Sequence, residues 1–252
     1  MPRYKAVVAY DGTNYCGFQS QENGNTVQAE IEKTLKKLNN GQDVTIHGSG
    51  RTDSGVHAWG QVIHFDYPER DPEKLRHALD TQSADDIAIR SMEKVSDTFH
   101  ARYDAMGKTY HYHLDIGKPR TPFKRYYAAH YRHPLDLAKM QEGIQHLIGT
   151  HDFSAFCATG TSVENKVRTI HEATVEKSGD NELVFVFRGD GFLYKMVRIL
   201  VGTLIKIGNG HLKPSDLPKI IASLDRNQAG PTAHPEGLYL MEVKYPDKSR
   251  DS

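Results

Sequence analysis

The order of strand-like and helix-like segments is the feature that most restricts the fold of this 252-residue chain. In its first hundred residues, short apolar or alternating segments are interrupted twice by segments with an apolar stripe at helical spacing. The predicted strands cover residues 3–10, 43–47, 59–66 and 87–95, and the predicted helices cover 26–39 and a segment opening at 71–73. This β-α-β-β-α-β order is a split βαβ unit.

Capping signals support both helices of this first half. Asn25 or Thr26 is placed to cap the first helix, whose apolar stripe includes Ile31 and Leu35. The run Asp71-Pro72-Glu73 opens the second helix, because aspartate caps well and proline is tolerated in the first turn.

The second half repeats the order of elements without repeating the sequence. The predicted segments are a strand over 110–116, a helix over 136–148, a hairpin of strands 170–177 and 183–188 turning at 179–181, an apolar helix over 192–207 stopped at Gly208, a shorter helix after Pro214-Ser215, and a strand over 238–245. The chain is therefore predicted to be a pseudo-duplicated α+β protein of two similar halves with a cleft between them. The predicted boundaries are 1–105, 106–246 and a polar tail over 247–252.

Composition excludes several classes of protein. No apolar run approaches the roughly 18 residues needed to cross a bilayer, and the first residues lead directly into a strand-like segment. The two cysteines, Cys16 and Cys157, lack the Cys-x-x-Cys spacing of a zinc ribbon or redox site. We therefore expect a cytoplasmic protein without a signal peptide, a membrane span or a disulfide framework.

The net charge is zero, yet cationic residues concentrate in one stretch. Residues 117–134 contain no acid and carry the cations Lys118, Arg120, Lys124, Arg125 and Arg132 among several aromatic residues. Cations neutralise phosphates and aromatic faces stack on unpaired bases, which indicates an RNA contact. A solvated loop with a few buried tyrosines explains the same composition equally well.

One carboxylate, Asp53, lies in a glycine-rich run from Gly48 to Ala58 between two predicted strands. Glycine permits unusual backbone angles and close approach of another molecule, and catalytic groups favour such fixed loops. Capping of a turn is the simpler explanation of an Asp-Ser-Gly tripeptide.

A second unusual charge, Arg198, lies in the predicted apolar helix between Val197 and Ile199. A buried guanidinium without a partner is costly, so a carboxylate partner is expected. Asp53 is one such partner, and another acid or solvent is the alternative. Lys195, three positions earlier, is expected to reach solvent or contact phosphate.

These segments together resemble the bacterial TruA family of tRNA pseudouridine synthases. The resemblance rests on Gly-Arg-Thr-Asp-Ser-Gly-Val-His-Ala around Asp53 and Phe-Leu-Tyr-Lys-Met-Val-Arg ending at Arg198. Three further segments agree, namely 10–19, 99–112 and Gly237-Leu238. The resemblance covers roughly residues 4–245.

The resemblance implies a pseudouridine synthase fold of two α+β halves around a basic cleft. It also implies isomerisation of uridine at positions 38, 39 and 40 of the tRNA anticodon arm. It further implies a homodimer that needs no metal or cofactor. Asp53 corresponds to the nucleophile, with Arg198 beside it to keep the carboxylate ionised. The residues alone do not distinguish attack at the ribose C1′, attack at C6 of the base, or removal of a ribose proton.

The other site residues follow from the same resemblance. Tyr110 would offer a flat face to the displaced base and accept the proton from C5, and Leu238 would close the pocket. Arg51 would contact phosphate or displace the base. The remaining candidate contacts to the RNA backbone are Arg102, Lys118, Arg120, Lys124, Arg125, Arg168 and Lys195.

Two other functions compete with this interpretation. An aspartic hydrolase shares the Asp-Ser-Gly tripeptide but needs two carboxylates, and a second such tripeptide is missing from the sequence. A non-catalytic RNA-binding protein would share the cations and aromatic residues but would not need Asp53. His111 and His113 share a predicted strand face, without a third residue at metal-ligand spacing.

Overall fold

A computed structural model describes residues 1–22, 24–161 and 163–246, so the predicted tail over 247–252 lies outside the described residues. The strands are β1 (Arg3–Tyr10), β2 (His47–Gly48), β3 (His57–Asp66), β4 (Ile87–Val95), β5 (Gly107–Asp115), β6 (Ala129–His130), β7 (Gly149–Asp152), β8 (Val167–Lys177), β9 (Glu182–Gly189) and β10 (Leu238–Lys244). The α-helices are α1 (Val27–Leu38), α2 (Pro72–Gln82), α3 (Leu137–Ile144), α4 (Met196–Gly208) and α5 (Leu217–Ser223). The fold is α+β.

The chain forms two compact units. The first comprises residues 1–106 together with the described residues from 239 onward, and the second comprises residues 107–238. The final strand was expected in the second half from its place along the chain. It groups with the first unit because Tyr239 and Leu240 pair in parallel with His57 and Ala58 of β3.

The first unit has the strand order β4-β1-β3-β10, with β2 paired to β3. Strands β3 and β4 flank β1 in antiparallel pairs. Tyr4 of β1 stacks on Phe65 of β3 with ring centroids 5.9 Å apart. Ile31 and Leu35 of α1 and Leu75 of α2 are fully buried, as the helical stripes predicted.

The second unit has the antiparallel strand order β5-β9-β8-β7, with the short β6 parallel to β5. The predicted hairpin is confirmed as β8 and β9, and Gly179 has the positive φ of 73° that the turn requires. Helix α3 packs against α4 and β8. Tyr112, Phe185 and Phe187 lie in this core and are fully buried.

The predicted caps are confirmed at α1 and α2, and the structure adds a similar cap at the start of α3. The Thr26 hydroxyl accepts the Ala29 N–H at 3.2 Å, the Asp71 carboxylate accepts the Lys74 N–H at 2.9 Å, and the Asp136 carboxylate accepts the Lys139 N–H at 3.1 Å. Helix α3 is shorter than its predicted 136–148, because its last turn tightens into a 3₁₀ turn over Gln145–Leu147.

The strand predicted over 43–47 is wrong, since only His47–Gly48 is extended and paired. The side chains of α1 take the place of a strand partner. Glu32 accepts the Ile46 N–H at 3.0 Å and Gln28 donates to the Ile46 carbonyl at 3.2 Å. Val44 and Ile46 are nevertheless buried, which is why their pattern resembled a strand.

The predicted start of the apolar helix at 192 is also wrong, because α4 begins at Met196. Lys195 precedes it with φ of 58° and ψ of 12°, in the left-handed region. A right-handed helix cannot continue through that conformation. The residues from Phe192 to Lys195 therefore form a separate turn, in which the Met196 N–H bonds to the Leu193 carbonyl at 3.0 Å.

Over the described residues, we find no helix with both the length and the apolar character that crossing a membrane requires.

Candidate active site

Asp53 lies half-buried in the loop over residues 49–56, between β2 and β3 of the first unit. The loop begins where the Ser49 N–H bonds to the Val62 carbonyl at 2.7 Å. It ends in a turn closed by the Val56 N–H and the Asp53 carbonyl at 3.1 Å, with Gly55 at φ of 76°. The prediction of a tight loop between strands is confirmed.

An N-terminal segment, residues 10–18, holds this loop through backbone groups, and we call it the clamp segment. The Phe18 N–H donates to the Thr52 carbonyl at 3.2 Å, on one side of Asp53. On the other side, the Gly55 N–H and the Ser54 hydroxyl reach the Tyr15 carbonyl at 3.4 and 3.2 Å. The backbone on both sides of Asp53 is thereby fixed to one neighbouring segment.

Two glycines of the clamp segment allow this close approach. Gly17 has φ of 95°, and a Cβ atom there would lie only 2.6 Å from the Thr52 carbonyl oxygen. A Cβ atom on Gly12 would overlap the Val56 carbonyl. Any larger residue at either position must therefore push the loop away.

Buried hydroxyl and amide groups support the loop from beneath. The Tyr10 and Thr52 hydroxyls are 2.8 Å apart. Gln61 accepts from the Ser49 hydroxyl at 2.6 Å and donates to the Gly50 carbonyl at 2.9 Å. Burial raises the pKa of Tyr10 to about 12, so this phenol stays protonated at neutral pH.

His57 connects the end of the loop to the clamp segment. Its Nδ1 atom lies 3.0 Å from the Gly12 nitrogen and 3.2 Å from a carboxylate oxygen of Asp11. The buried ring stacks on Tyr239 with centroids 4.7 Å apart. Tyr15 extends the same support by donating to the Asp86 carboxylate at 2.5 Å.

Three imidazoles cluster at the beginning of the loop, with His47 stacked on His64 and His100 edge-on to it. The ring of His64 lies 4.9 Å from that of His47 and 4.7 Å from that of His100. The His64 Nδ1 atom accepts the Ala101 N–H at 3.1 Å. Burial, reinforced by the two neighbouring imidazoles, lowers the pKa of His64 to about 4.

Two further predicted residues of the first unit are exposed. Arg51 lies two positions before Asp53 in the loop. The guanidinium of Arg102 lies 6.0 Å from the ring centroid of Tyr103, and that ring packs in turn on His100 at 4.3 Å. Both cations are thus available at the surface.

Tyr110, Leu238 and Arg198 belong to the second unit. Tyr110 lies on β5 opposite Phe187 and is buried, with its ring packed edge-on against Phe192 at 5.1 Å. Leu238 is buried at the start of β10. The Tyr112 hydroxyl donates to the His234 carbonyl at 2.9 Å, which fixes the segment leading to Leu238.

Arg198 is half-buried on α4, and the loop before β10 fixes its direction. Its Nε atom donates to the Ala233 carbonyl at 2.7 Å, and the Ala233 N–H donates to the Arg198 carbonyl at 3.0 Å. The charge of Arg198 also lies near Tyr112. Burial raises the pKa of the Tyr112 phenol, and the Arg198 charge opposes that rise. This geometry holds the guanidinium in one orientation.

The basic stretch over 117–134 is partly paired and partly exposed. Lys124 forms an ion pair with Glu182, which also contacts His113 at 2.8 Å. Phe123 is 85% exposed, and the guanidinium of Arg125 lies 4.1 Å over the ring of Tyr126. The predicted alternative of buried tyrosines is wrong for Tyr126 and Tyr127, since both are exposed.

The other predicted cations lie on separate elements. Lys118 and Arg120 are exposed. Arg168 of β8 donates to the Asn165 and Val167 carbonyls at 3.0 and 2.6 Å. The Lys195 ammonium lies 4.9 Å from the ring of Tyr194.

Within the described ranges, His, Cys, Asp and Glu side chains form no group of three placed to hold a metal ion. His111 and His113 are neighbours with ring centroids 6.4 Å apart. Burial, with a smaller contribution from His113, lowers the pKa of His111.

Similarity to known proteins decides the family. A family model described as tRNA pseudouridine synthase matches residues 6–104 and 144–246. The chain belongs to the tRNA pseudouridine synthase family. It is 58% identical over 250 residues to the tRNA pseudouridine synthase A of Streptococcus agalactiae serotype III (strain NEM316), covering 98% of this chain and 97% of that protein.

A second Streptococcus protein agrees with this family assignment. The tRNA pseudouridine synthase A of Streptococcus thermophilus (strain CNRZ 1066) is 59% identical over 249 residues, which cover 97% of this chain and all of that protein. The crystal structure of a Cbf5-Nop10-Gar1 complex is a distant match, with a TM-score of 0.37 and 10% identity over 80% of this chain and 54% of that chain.

The sequence analysis missed the groups that support the Asp53 loop of this pseudouridine synthase family member. Gly12 and Gly17 were part of the N-terminal signature, yet the signature did not indicate which segment they approach. His64 and Gln61 are polar residues in a predicted strand, and they are among the few polar side chains that are buried. A polar residue within an otherwise apolar predicted strand was the signal that could have indicated these buried supporting groups.

Proposed function

We propose that this protein converts uridine to pseudouridine at positions 38, 39 and 40 of the tRNA anticodon arm. The observation that carries the proposal is identity of 58–59% to proteins named tRNA pseudouridine synthase A over nearly the whole chain. The well-supported loop around Asp53 agrees with it, because a catalytic group acts best when its position is fixed before the substrate binds.

The reaction detaches uracil from N1, turns it, and rejoins it to the ribose through C5. Because no atoms are gained or lost, redox and group-transfer cofactors have no role in the overall balance. An ionised carboxylate can act as nucleophile or base, and Asp53 is our candidate with nucleophilic attack as its role. Its loop is held from both sides by the clamp segment.

Arg198 is our candidate for the guanidinium that favours the ionised form of Asp53. A cation near a carboxylate stabilises the charged state and orients it. The bond from its Nε to the Ala233 carbonyl holds the planar group in place. That fixed orientation suits a partner charge better than a flexible lysine would.

Tyr110 and Leu238 would form the apolar walls that receive the base. A base that leaves the stack needs a flat apolar surface, and the packing of Tyr110 on Phe192 fixes such a ring. The Tyr110 hydroxyl would take the C5 proton late in the reaction. Arg51, exposed on the Asp53 loop, would contact phosphate or help displace the base.

The RNA backbone would be bound by exposed cations. These are Arg102, Lys118, Arg120 and Arg125, joined by the half-buried Arg168 and Lys195, with Lys124 reduced in effect by its ion pair to Glu182. We further propose that the protein acts as a homodimer in the cytoplasm, where tRNA is modified.

The decisive experiment maps pseudouridine on an unmodified tRNA transcript with uridines at positions 38 to 40. The protein and its Asp53→Ala variant are compared without added metal or cofactor. We expect new pseudouridine at these positions with the unsubstituted protein only, and equal tRNA binding by both. Tight binding without product from the unsubstituted protein would favour a non-catalytic RNA-binding protein, and equal loss of binding and activity in Asp53→Ala would make Asp53 structural.

A further inference from the structure

Trp59 is a large aromatic residue left at the surface close to the Asp53 loop. It is 54% exposed and is the only tryptophan of the chain. It lies on β3, two positions after His57, so its Cα is about 7 Å further along the strand. An indole buried in a core contributes strongly to stability, so leaving one exposed calls for another role.

Arg90 of β4 holds the indole in place. Its guanidinium carbon lies 4.6 Å from the ring centroid, and its Nη1 atom donates to the Trp59 carbonyl at 2.9 Å. Arg90 is itself exposed and forms no ion pair with any carboxylate in the part of the chain that the structure describes. The pair therefore presents a rigid aromatic ring beside a positive charge that no acid among the described residues neutralises.

We propose that Trp59 and Arg90 form a stacking platform for an unpaired nucleobase of the tRNA substrate, outside the pocket of the reacting uridine. The indole would stack on the base, and the guanidinium would contact the adjoining phosphate. Aromatic stacking combined with a cation is the usual way in which proteins bind unpaired nucleotides. The inference rests on the proposed function, which supplies the RNA.

RNA fits this surface better than a protein partner. A stable contact between two proteins buries about 800 Å² on each side around several apolar residues, whereas one indole provides far less. A charge without an acidic partner also suits a phosphate. Trp59 lies on β3, the strand that follows the Asp53 loop. A base bound on the platform would therefore hold the RNA near Asp53 and the reacting uridine.

The single tryptophan gives a direct measurement on the unsubstituted protein. Its fluorescence is recorded during titration with an unmodified tRNA transcript and, separately, with a fully paired RNA duplex. We expect tRNA to quench the emission at saturation, because a stacked base quenches indole, and the duplex to leave it unchanged. Unchanged emission at saturating tRNA would overturn the proposal.

Variants then measure the effect on affinity and turnover. Trp59→Leu keeps an apolar side chain but removes the ring, and Trp59→Phe keeps a smaller ring. Stacking of one base contributes about 1–3 kcal/mol, so Trp59→Leu should weaken tRNA binding about 5- to 150-fold and raise KM with kcat unchanged. Trp59→Phe should recover most of the affinity, and Arg90→Gln should weaken binding and reduce its salt dependence.

Lys33→Gln is the matched control for Arg90→Gln, because it also removes one exposed cation from the first unit, on helix α1. It should leave tRNA affinity and turnover unchanged. The platform would be overturned if Trp59→Leu bound tRNA with the same affinity as the unsubstituted protein. The same holds if the only change in Trp59→Leu is its oligomeric state. Pseudouridine formation is measured separately, so the two proposals can fail independently. If the unsubstituted protein is active and Trp59→Leu has unchanged tRNA affinity and turnover, the platform is rejected and the proposed function stands.

Discussion

The Asp53 loop and the basic stretch over 117–134 are both predicted from local sequence, but they are supported in opposite ways. The loop is bonded through its backbone to the clamp segment and lies on buried hydroxyl and amide groups. The basic stretch instead exposes Phe123 and Tyr127, and its cations bind through their side chains, as in the ion pair of Lys124 with Glu182. A group that must meet one reacting atom needs a fixed position. A phosphate backbone, in contrast, can be bound by side chains that adjust their conformation.

The largest effect is expected where a charge is oriented for chemistry. Arg198→Met should lower kcat about hundredfold or more while changing tRNA affinity little, because it removes a group that favours the charged carboxylate. Single-turnover rates and equilibrium binding measure the two effects separately. Arg226→Met is the matched control, since Arg226 also donates to a backbone carbonyl, that of Gly230 at 2.9 Å. An unchanged single-turnover rate in Arg198→Met would remove Arg198 from the mechanism.

The rigidity of the loop is tested by Gly17→Ala. The new Cβ atom would meet the Thr52 carbonyl and the positive φ would be strained, so we expect a loss of about 3 kcal/mol in unfolding free energy and at least a tenfold lower kcat. Gly41→Ala is the control that strains the backbone without a close contact. Gly41 has a similar φ of 83°, and no atom lies within 4 Å of a Cβ added there. It should cost about 1 kcal/mol and keep full activity. Equal effects of both variants would show that the clamp segment does not position Asp53.

The imidazole cluster at the start of the loop predicts a loss of stability in acid. The pKa of His64 is about 4 in the folded protein, and the unfolded chain takes up this proton near pH 6.5. The unfolded state therefore binds more protons between these values, and stability falls by up to about 3 kcal/mol as the pH drops from 6.5 to 4. Urea unfolding over this range measures the loss.

His64→Asn removes this titration while keeping an acceptor for the Ala101 N–H. Its unfolding free energy should depend less on pH between 6.5 and 4 than that of the unsubstituted protein. His77→Asn, at an exposed position on α2, should leave the pH dependence unchanged. The same pH dependence in His64→Asn and the unsubstituted protein would contradict the assignment.

The basic stretch should show the smallest and most gradual effects. Arg120→Ala should weaken tRNA binding a few-fold and reduce the slope of log affinity against log salt by about 0.7–0.9. Lys124→Ala should change the slope less, because Glu182 already neutralises that ammonium. Lys219→Ala, which also removes a paired exposed cation, serves as the control. An unaltered slope in Arg120→Ala would exclude this stretch from the RNA path.

Local patterns predicted much of the fold because they depend on neighbouring residues. The caps at Thr26 and Asp71 and the turn at Gly179 involve residues within four positions of each other. The same reasoning failed for residues 43–47, where α1 side chains bind the backbone of Ile46. It also failed at Lys195, whose left-handed conformation delays the start of the predicted helix from residue 192 to Met196.

The sequence by itself determined the order of the elements from β1 to β4, the glycine-rich loop that carries Asp53, and the family to which the chain is similar. Only the tertiary structure decided that residues 10–18 hold this loop, that the last strand joins the first unit, and that Trp59 stays exposed beside Arg90. The physical reason is distance along the chain. Tyr10 and Thr52 are 42 positions apart, and a hydrogen bond over that separation forms only when the intervening strands and helix have packed.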